Sequence, residues 1–224
     1  MLTGALLLVA AACLAVGLRG HQRALAGPVG PQRPPPATVT PTAFSPPPLA
    51  IADRSVPVEL SIPAIGLSVP LSQLGLNPDG SVQVPTNFEE PGWFSPGPSP
   101  GQLGSAVILG HVDSYQGPAV FFTLRTLQTG DQVNVTLADG TVGHFAVYTV
   151  VQYLKVAFPT AQVYDPHGYS ALQLVTCGGA FDSQTGHYLS NIVVYTSLVS
   201  ITAPPGALPT SLSGTSSDAA LGPD

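Results

Sequence analysis

Apolar and polar residues alternate with a period of two in six segments of the chain, and such alternation is typical of half-buried β-strands. Sequences rich in Gly, Pro, Asn and Asp separate the segments and indicate turns. We predict strands at residues 56–63, 105–110, 131–137, 143–156, 171–177 and 191–199. A helical turn is predicted only at residues 117–127. Many short strands with so little helix favour an all-β sandwich or closed barrel.

The amino-terminal segment has a different pattern, because residues 2–18 are apolar on every side and carry no charge. A helix of about this length is close to the shortest that spans a hydrocarbon layer of about 30 Å. We therefore predict that residues 1–23 form a transmembrane helix that anchors the chain. A cleaved signal peptide is the alternative, since Ala24–Ala26 offers a small-x-small cleavage site. Arg19 and Arg23 follow the apolar run instead of preceding it. The positive-inside rule keeps such charges in the cytoplasm, so their position conflicts with export of the domain that follows.

Proline then divides the rest of the chain into one domain and two flanking segments. The 224 residues include 25 Pro and 24 Gly. Residues 24–53 are Pro-rich and are predicted to form an extended linker, because proline removes backbone donors that helices and sheets need. Residues 200–224 have similar composition and are predicted to be disordered. One folded domain is therefore expected at residues 54–199.

Charge excludes one class of function. The formal net charge is −6, and the chain has only six Lys and Arg residues. No basic surface is available to neutralise phosphates, so we do not expect a nucleic-acid partner. A metal site is also not expected, because the segment Gly110–Asp113 and one Cys supply too few ligands at recognised spacings. The sequence suggests no other cofactor.

Cys177 is the lone cysteine of the predicted domain and is placed at the end of a predicted strand, directly before Gly178 and Gly179. A buried cysteine is usually a small core residue. In an exported domain, however, most cysteines form disulfides, and Cys177 has only Cys13 of the apolar segment to pair with. A nucleophilic thiol needs a neighbouring base. The histidines that can serve are His111, which also follows a strand and a glycine, and three others, His144, His167 and His187.

The sequence resembles a known family at three motifs: "LGHVDS", "LVTCGG" and "HYLSNIVVY". Together with the apolar start and the Pro-rich linker, they are similar to those of class F sortases of actinobacteria. The resemblance implies an eight-stranded β-barrel anchored in the plasma membrane by a single pass, with its catalytic domain outside the cell. It also implies a cysteine transpeptidase that cleaves secreted proteins at a Leu-Pro-x-Thr-Gly-type sorting signal. The product would be joined to an amine of a peptidoglycan precursor or a pilin lysine.

The resemblance also assigns residues, with one departure. Cys177 matches the family nucleophile, His111 the catalytic histidine, and Thr176 the residue before the nucleophile. Leu189 stands where relatives have an arginine that contacts the scissile carbonyl. Asn191, two residues on along the same strand face, and Arg125 are the candidates to replace that group. The loss of the arginine leaves an alternative function open, a degenerate sortase-like domain that binds sorting signals or wall polymer without turnover.

Overall fold

The computed structural model describes residues 53–204. The predicted anchor, nearly all of the linker and most of the predicted tail lie outside the described residues. Between Asp53 and Pro204, no helix is both long and apolar enough to cross a membrane.

The regular secondary structure of the described residues is almost entirely β-strand, as the alternating pattern predicted. The single α-helix in this part of the chain, α1, spans Thr160–Tyr164. Three short 3-10 helices occur at Pro63–Ile65, Leu124–Thr126 and Lys155–Ala157. The strands are β1 (Pro57–Ile62), β2 (Leu67–Pro70), β3 (Ser72–Leu74), β4 (Gly92–Phe94), β5 (Gly104–Leu109), β6 (Asp113–Ser114), β7 (Gly117–Pro118), β8 (Gln132–Leu137), β9 (Val142–Leu154), β10 (Ser170–Asp182) and β11 (His187–Thr202).

Nine strands form one sheet in the order β2-β1-β8-β9-β11-β10-β5-β4-β3, and β6 pairs with β7 in a separate ribbon. The two edge strands of the sheet, β2 and β3, are consecutive in the chain and are joined through Leu71. The sheet is therefore rolled into a nearly closed barrel. The predicted all-β barrel with little helix is confirmed, but its sheet has nine strands and not the eight that the resemblance implied. Strands β2, β3 and β4 are too short to show a periodic pattern, so the alternation did not predict them.

Two further predictions concern the segments near the end of β5 and β10. Residues 117–127 were predicted to hold a helical turn, and they do so in the 3-10 helix Leu124–Thr126, whereas Gly117 and Pro118 form β7. Cys177 was placed at a strand end, whereas β10 continues past it to Asp182. The continuation was missed because Gly178 and Gly179 break the alternating pattern, and the pairing passes them through a bulge.

Alternation along the long strands divides their side chains between two apolar clusters. Leu172 and Leu174 of β10 point into the barrel, where they join a buried cluster that includes Trp93 and Phe145. Residues on the opposite face of the same sheet, among them Val175 and Tyr195, pack in a second cluster with Val163 of α1. The hydroxyl of Ser105 on β5 donates to the Val163 carbonyl at 2.5 Å, which fixes α1 against the outer face.

Strands β5 and β10 are parallel neighbours, and their register sets up one edge of the barrel. Val175 pairs with Leu109, and the Gly110 amide donates to the Val175 carbonyl at 3.1 Å. His111 and Cys177 each lie two residues beyond this last pair. Because parallel strands advance in the same direction, the two residues are brought to the same edge at the same level.

Candidate active site

Cys177 is a free, partly exposed thiol in the middle of β10. Gly179, two residues further on, has φ +77°, which is a conformation that glycine adopts without steric cost. A Cβ at Gly179 would lie 2.7 Å from the Ser190 hydroxyl, and one at Gly178 would lie 2.7 Å from Ile192. The glycines therefore allow β11 to pack directly against the chain that follows the thiol.

His111 is held by its loop rather than by a carboxylate. Its Nε2–H donates to the Pro85 carbonyl at 2.8 Å, because a carbonyl oxygen can only accept. The Phe88 ring lies beside the imidazole, with ring centroids 4.5 Å apart. This arrangement fixes the ring and leaves Nδ1 as the nitrogen that can exchange a proton with a substrate.

Cys177 and His111 line the same cavity, a groove of about 550 Å³. Its walls come from the loop before β4, the end of β5, the middle of β10, the start of β11 and the segment between β9 and β10. Most of its lining is apolar, and no Asp or Glu of the described residues lines it. The side chains that define the groove are Val84, His111, Lys155, Phe158, Cys177 and Asn191. The groove can hold an extended, mostly uncharged peptide beside the thiol.

Asn191 of β11 lies directly opposite Cys177 in the antiparallel register of β10 and β11. Side chains of such pairs share a face of the sheet, with Cβ atoms typically about 5 Å apart. Asn191 therefore brings an amide donor to the face that carries the thiol. Leu189 lies two residues before Asn191, and its side chain is 47% exposed. This leucine is therefore not part of the buried core.

A second cavity adjoins Cys177 on another side. It measures about 130 Å³, and we call it the polar pocket; it is lined by Phe122, Arg125, Gln152, Thr176, Gly178 and Tyr188, together with Cys177. The Arg125 guanidinium lies over the Phe122 ring, 5.8 Å from its centroid. Thr176 is 4% exposed, and its hydroxyl has no hydrogen-bond partner.

The two chain segments that follow His111 and Cys177 are tied together. The Tyr188 hydroxyl donates to Asp113 Oδ2 at 2.5 Å and thus joins the ribbon after His111 to the strand that returns from Cys177. This hydrogen bond, with burial and the charge of Asp113 adding to it, raises the pKa of Tyr188 above its ordinary value. The two partners lie 75 residues apart in the chain, so no local sequence pattern predicts this contact.

The structure brings all five candidate residues to one end of the barrel, but not into one cavity. Cys177, His111, Thr176 and Asn191 line the groove, while Arg125 lines the polar pocket with Cys177 and Thr176. His144 lies elsewhere, where its ring bonds to Asn134 and Thr202. Gln152 was not predicted as a site residue, since no local motif marks it. Within residues 53–204, no group of His, Cys, Asp and Glu side chains is arranged to hold a metal ion.

Comparison with known proteins agrees with this arrangement. The family model described as "Sortase domain" matches residues 60–199, and the chain therefore belongs to the sortase family. A comparison with curated proteins gave no match.

Solved structures of sortases have the same fold at low identity. Sortase C-1 from Actinomyces oris superposes with a TM-score of 0.52 at 19% identity, covering 66% of this chain and 76% of that one. Sortase A from Corynebacterium diphtheriae, a lid mutant, gives 0.50 at 19% identity over 66% and 73%. Sortase C1 from Streptococcus agalactiae gives 0.50 at 19% identity over 64% and 67%. At this identity the likeness establishes the fold alone.

Proposed function

We propose that this chain is a membrane-anchored cysteine transpeptidase of the class F type, which cleaves a Leu-Pro-x-Thr-Gly-type sorting signal and joins the released protein to a cell-wall amine. The observation that carries the proposal is the parallel register of β5 and β10, which puts His111 level with Cys177 at one groove. Sortase family membership supports the reaction class. The uncharged apolar run at residues 2–18 supports anchoring in the plasma membrane, with the catalytic domain outside the cell.

In the first step, the Cys177 thiolate attacks the carbonyl carbon of the Thr residue in the signal. His111, as imidazolium, donates the Nδ1 proton to the departing Gly amine while Nε2–H stays bonded to the Pro85 carbonyl. The C–N bond breaks and a thioester forms on Cys177. In the second step an amine attacks the thioester, Nδ1 accepts its proton, and the Cys177 sulfur leaves as an amide bond forms.

The oxyanion of each tetrahedral intermediate needs a donor, because Leu189 has none to offer. We assign this role to the Asn191 side-chain amide, since Asn191 is the residue paired with Cys177 across the two strands. Neutral amides serve this purpose in other hydrolases, and removal of such a donor costs about 10² to 10³ in rate. Lys155 lies in the same groove and adds positive charge there.

The test uses the full-length chain, a Leu-Pro-x-Thr-Gly peptide and an amine, with cleavage and transfer products quantified by chromatography. Asn191→Ala is expected to lower kcat by about 10²-fold, whereas Asn191→Gln, which retains an amide, should lose less. If neither variant changes the rate, another group stabilises the oxyanion. If the natural chain shows no cleavage but Leu189→Arg does, the chain is instead a degenerate sortase that binds sorting signals without turnover.

A further inference from the structure

The polar pocket has no role in the reaction described so far. It adjoins Cys177, yet His111 does not line it. The register explains this separation. Thr176 pairs with Ile192, which pairs with Gln152, and these three residues form one row whose side chains face the pocket. Cys177 and Asn191 belong to the next row, whose side chains face the opposite side of the sheet. Cys177 nevertheless lines both cavities, and β5 does not cover this edge of β10 beyond Val175, so a molecule in the pocket reaches the thiol around that open edge.

The side chains of the polar pocket match an anion. Arg125 supplies the positive charge, Gln152 an amide and Thr176 a hydroxyl, and no Asp or Glu of the described residues lines the pocket. Between residues 53 and 204, Arg125 forms no ion pair with a carboxylate, and the contact of its guanidinium is the Phe122 ring. Arginine presents several N–H donors in a plane that suits a carboxylate.

The Thr176 hydroxyl is the second, independent observation. It is buried and unpaired, although buried hydroxyl groups in folded proteins nearly always have a partner. An oxygen of a bound carboxylate would accept its proton and remove this defect. The pocket volume of about 130 Å³ suits a carboxylate with a short stem, and is too small for a peptide of several residues.

We propose that the polar pocket is the acceptor site, and that the accepting amine belongs to a molecule that also carries a carboxylate, held by Arg125 and Thr176. This inference rests on the proposed function, because it concerns the second step of that reaction. With the carboxylate in the pocket, the amine reaches the thioester around the open edge of β10, on the side where His111 lies. The amine nitrogen forms the new amide bond, the C–S bond breaks, and the amine proton passes to His111.

The test compares two acceptors with similar amino groups, diglycine, which ends in a carboxylate, and diglycinamide, which does not. Full-length acyl-enzyme is formed with the donor peptide, and transfer is followed by mass spectrometry. We expect kcat/KM to be about tenfold or more higher for diglycine, since hydrogen bonds between ions are the stronger ones. Arg125→Met should abolish this preference through KM, and Arg125→Lys should restore part of it. Equal use of both acceptors, or an equal loss of both in Arg125→Met, would overturn the proposal.

Thr176→Val tests the hydroxyl with little change of shape. If the pocket binds a carboxylate, the variant should fold as well as the natural chain but show a several-fold higher KM for diglycine and a smaller change for diglycinamide. An unchanged KM together with a higher Tm would mean that the hydroxyl is only a packing defect.

A binding measurement separates this proposal from the proposed function. Diglycine is titrated into the full-length Cys177→Ala protein and the backbone amides are followed by NMR. Saturable shifts at Gly178 and Gly179 that disappear in the Cys177→Ala, Arg125→Met double variant support the pocket, whatever the activity. Absence of saturable binding refutes it. A failure of acyl-enzyme formation, in contrast, counts against the proposed function alone.

Discussion

The two halves of β10 have the same strand geometry but different surroundings. Residues 170–176 are buried, and most of them pair with β5 on one side and β11 on the other. Beyond Val175 the partner β5 has ended, so residues 177–182 keep only β11 and, apart from the buried Gly178, are partly or fully exposed. The first half holds the barrel together, whereas the second offers a thiol and Gly179 to solvent. The difference shows that the site lies where β10 continues beyond the end of its neighbour β5.

The largest effect is expected at the exposed half of β10, from replacing His111, the proton donor and acceptor beside Cys177. His111→Gln should lower transfer activity by about 10² to 10⁴-fold, the usual contribution of a general acid and base. The measurement is kcat/KM for the sorting-signal peptide. His144→Gln is the matched control, since His144 is remote from the groove and bonds to Asn134. Equal losses in both variants would show that the effect is on folding and not on proton transfer.

Substitutions in the buried half of β10 should lower the stability of the fold. Leu174 is fully buried in the barrel, so Leu174→Ala is expected to lower the free energy of unfolding by about 2–5 kcal/mol. Leu103, which is 60% exposed, provides the control, and Leu103→Ala should change it by less than about 0.5 kcal/mol. Denaturant unfolding measures both. Similar values for the two variants would contradict the assignment of Leu174 to the core.

Gly179 of β10 can be compared with Gly168, which has the same backbone conformation but lies outside the strand. Gly179 and Gly168 both have φ +77°, but a Cβ at Gly168 would meet nothing within 4 Å. Each substitution to Ala should cost about 1 kcal/mol for the positive φ. Gly179→Ala should cost more, about 1–3 kcal/mol in total, and should also lower kcat, because the added Cβ pushes against Ser190 beside the site. Equal costs and unchanged kcat would refute a packing role for Gly179.

The smallest effect is expected from the Tyr188–Asp113 hydrogen bond. Tyr188→Phe should lower kcat by about threefold, in line with the modest net value of one such bond. The raised pKa of Tyr188 also fixes a sign: its stabilising effect is present below about pH 10 and is lost as pH rises through the folded value. Thermal unfolding of the natural chain should therefore show an alkaline loss of stability that is smaller in Tyr188→Phe. Identical profiles would exclude this contribution.

The sequence predicted the long strands well and the short ones poorly. Strands β9, β10 and β11 carry enough alternating residues for the pattern to be recognised. Strands β3 and β4 have three residues each, and their positions follow from tertiary pairing instead. The β6–β7 ribbon was not predicted, because the pairing of Asp113 with Pro118 is not visible as a periodic pattern.

The site could be predicted only where chemistry marks it. Cys177 and His111 were identified because a lone thiol and a histidine follow strands and resemble family motifs. Gln152 and the Asp113–Tyr188 hydrogen bond could not be found this way, since these residues come together only when the barrel forms. Arg125 was proposed as a replacement for the missing arginine, but it lines the polar pocket and not the groove.

The central claim is that Cys177 forms a thioester with a sorting signal bound in the groove. The most direct measurement is the intact mass of the full-length protein after incubation with a Leu-Pro-x-Thr-Gly peptide and no amine, with Cys177→Ala beside it. We predict a mass increase equal to the acyl fragment, located on Cys177, absent from the variant and discharged by added amine. An unmodified protein with every variant of the signal, or an adduct that persists in Cys177→Ala, would contradict the account.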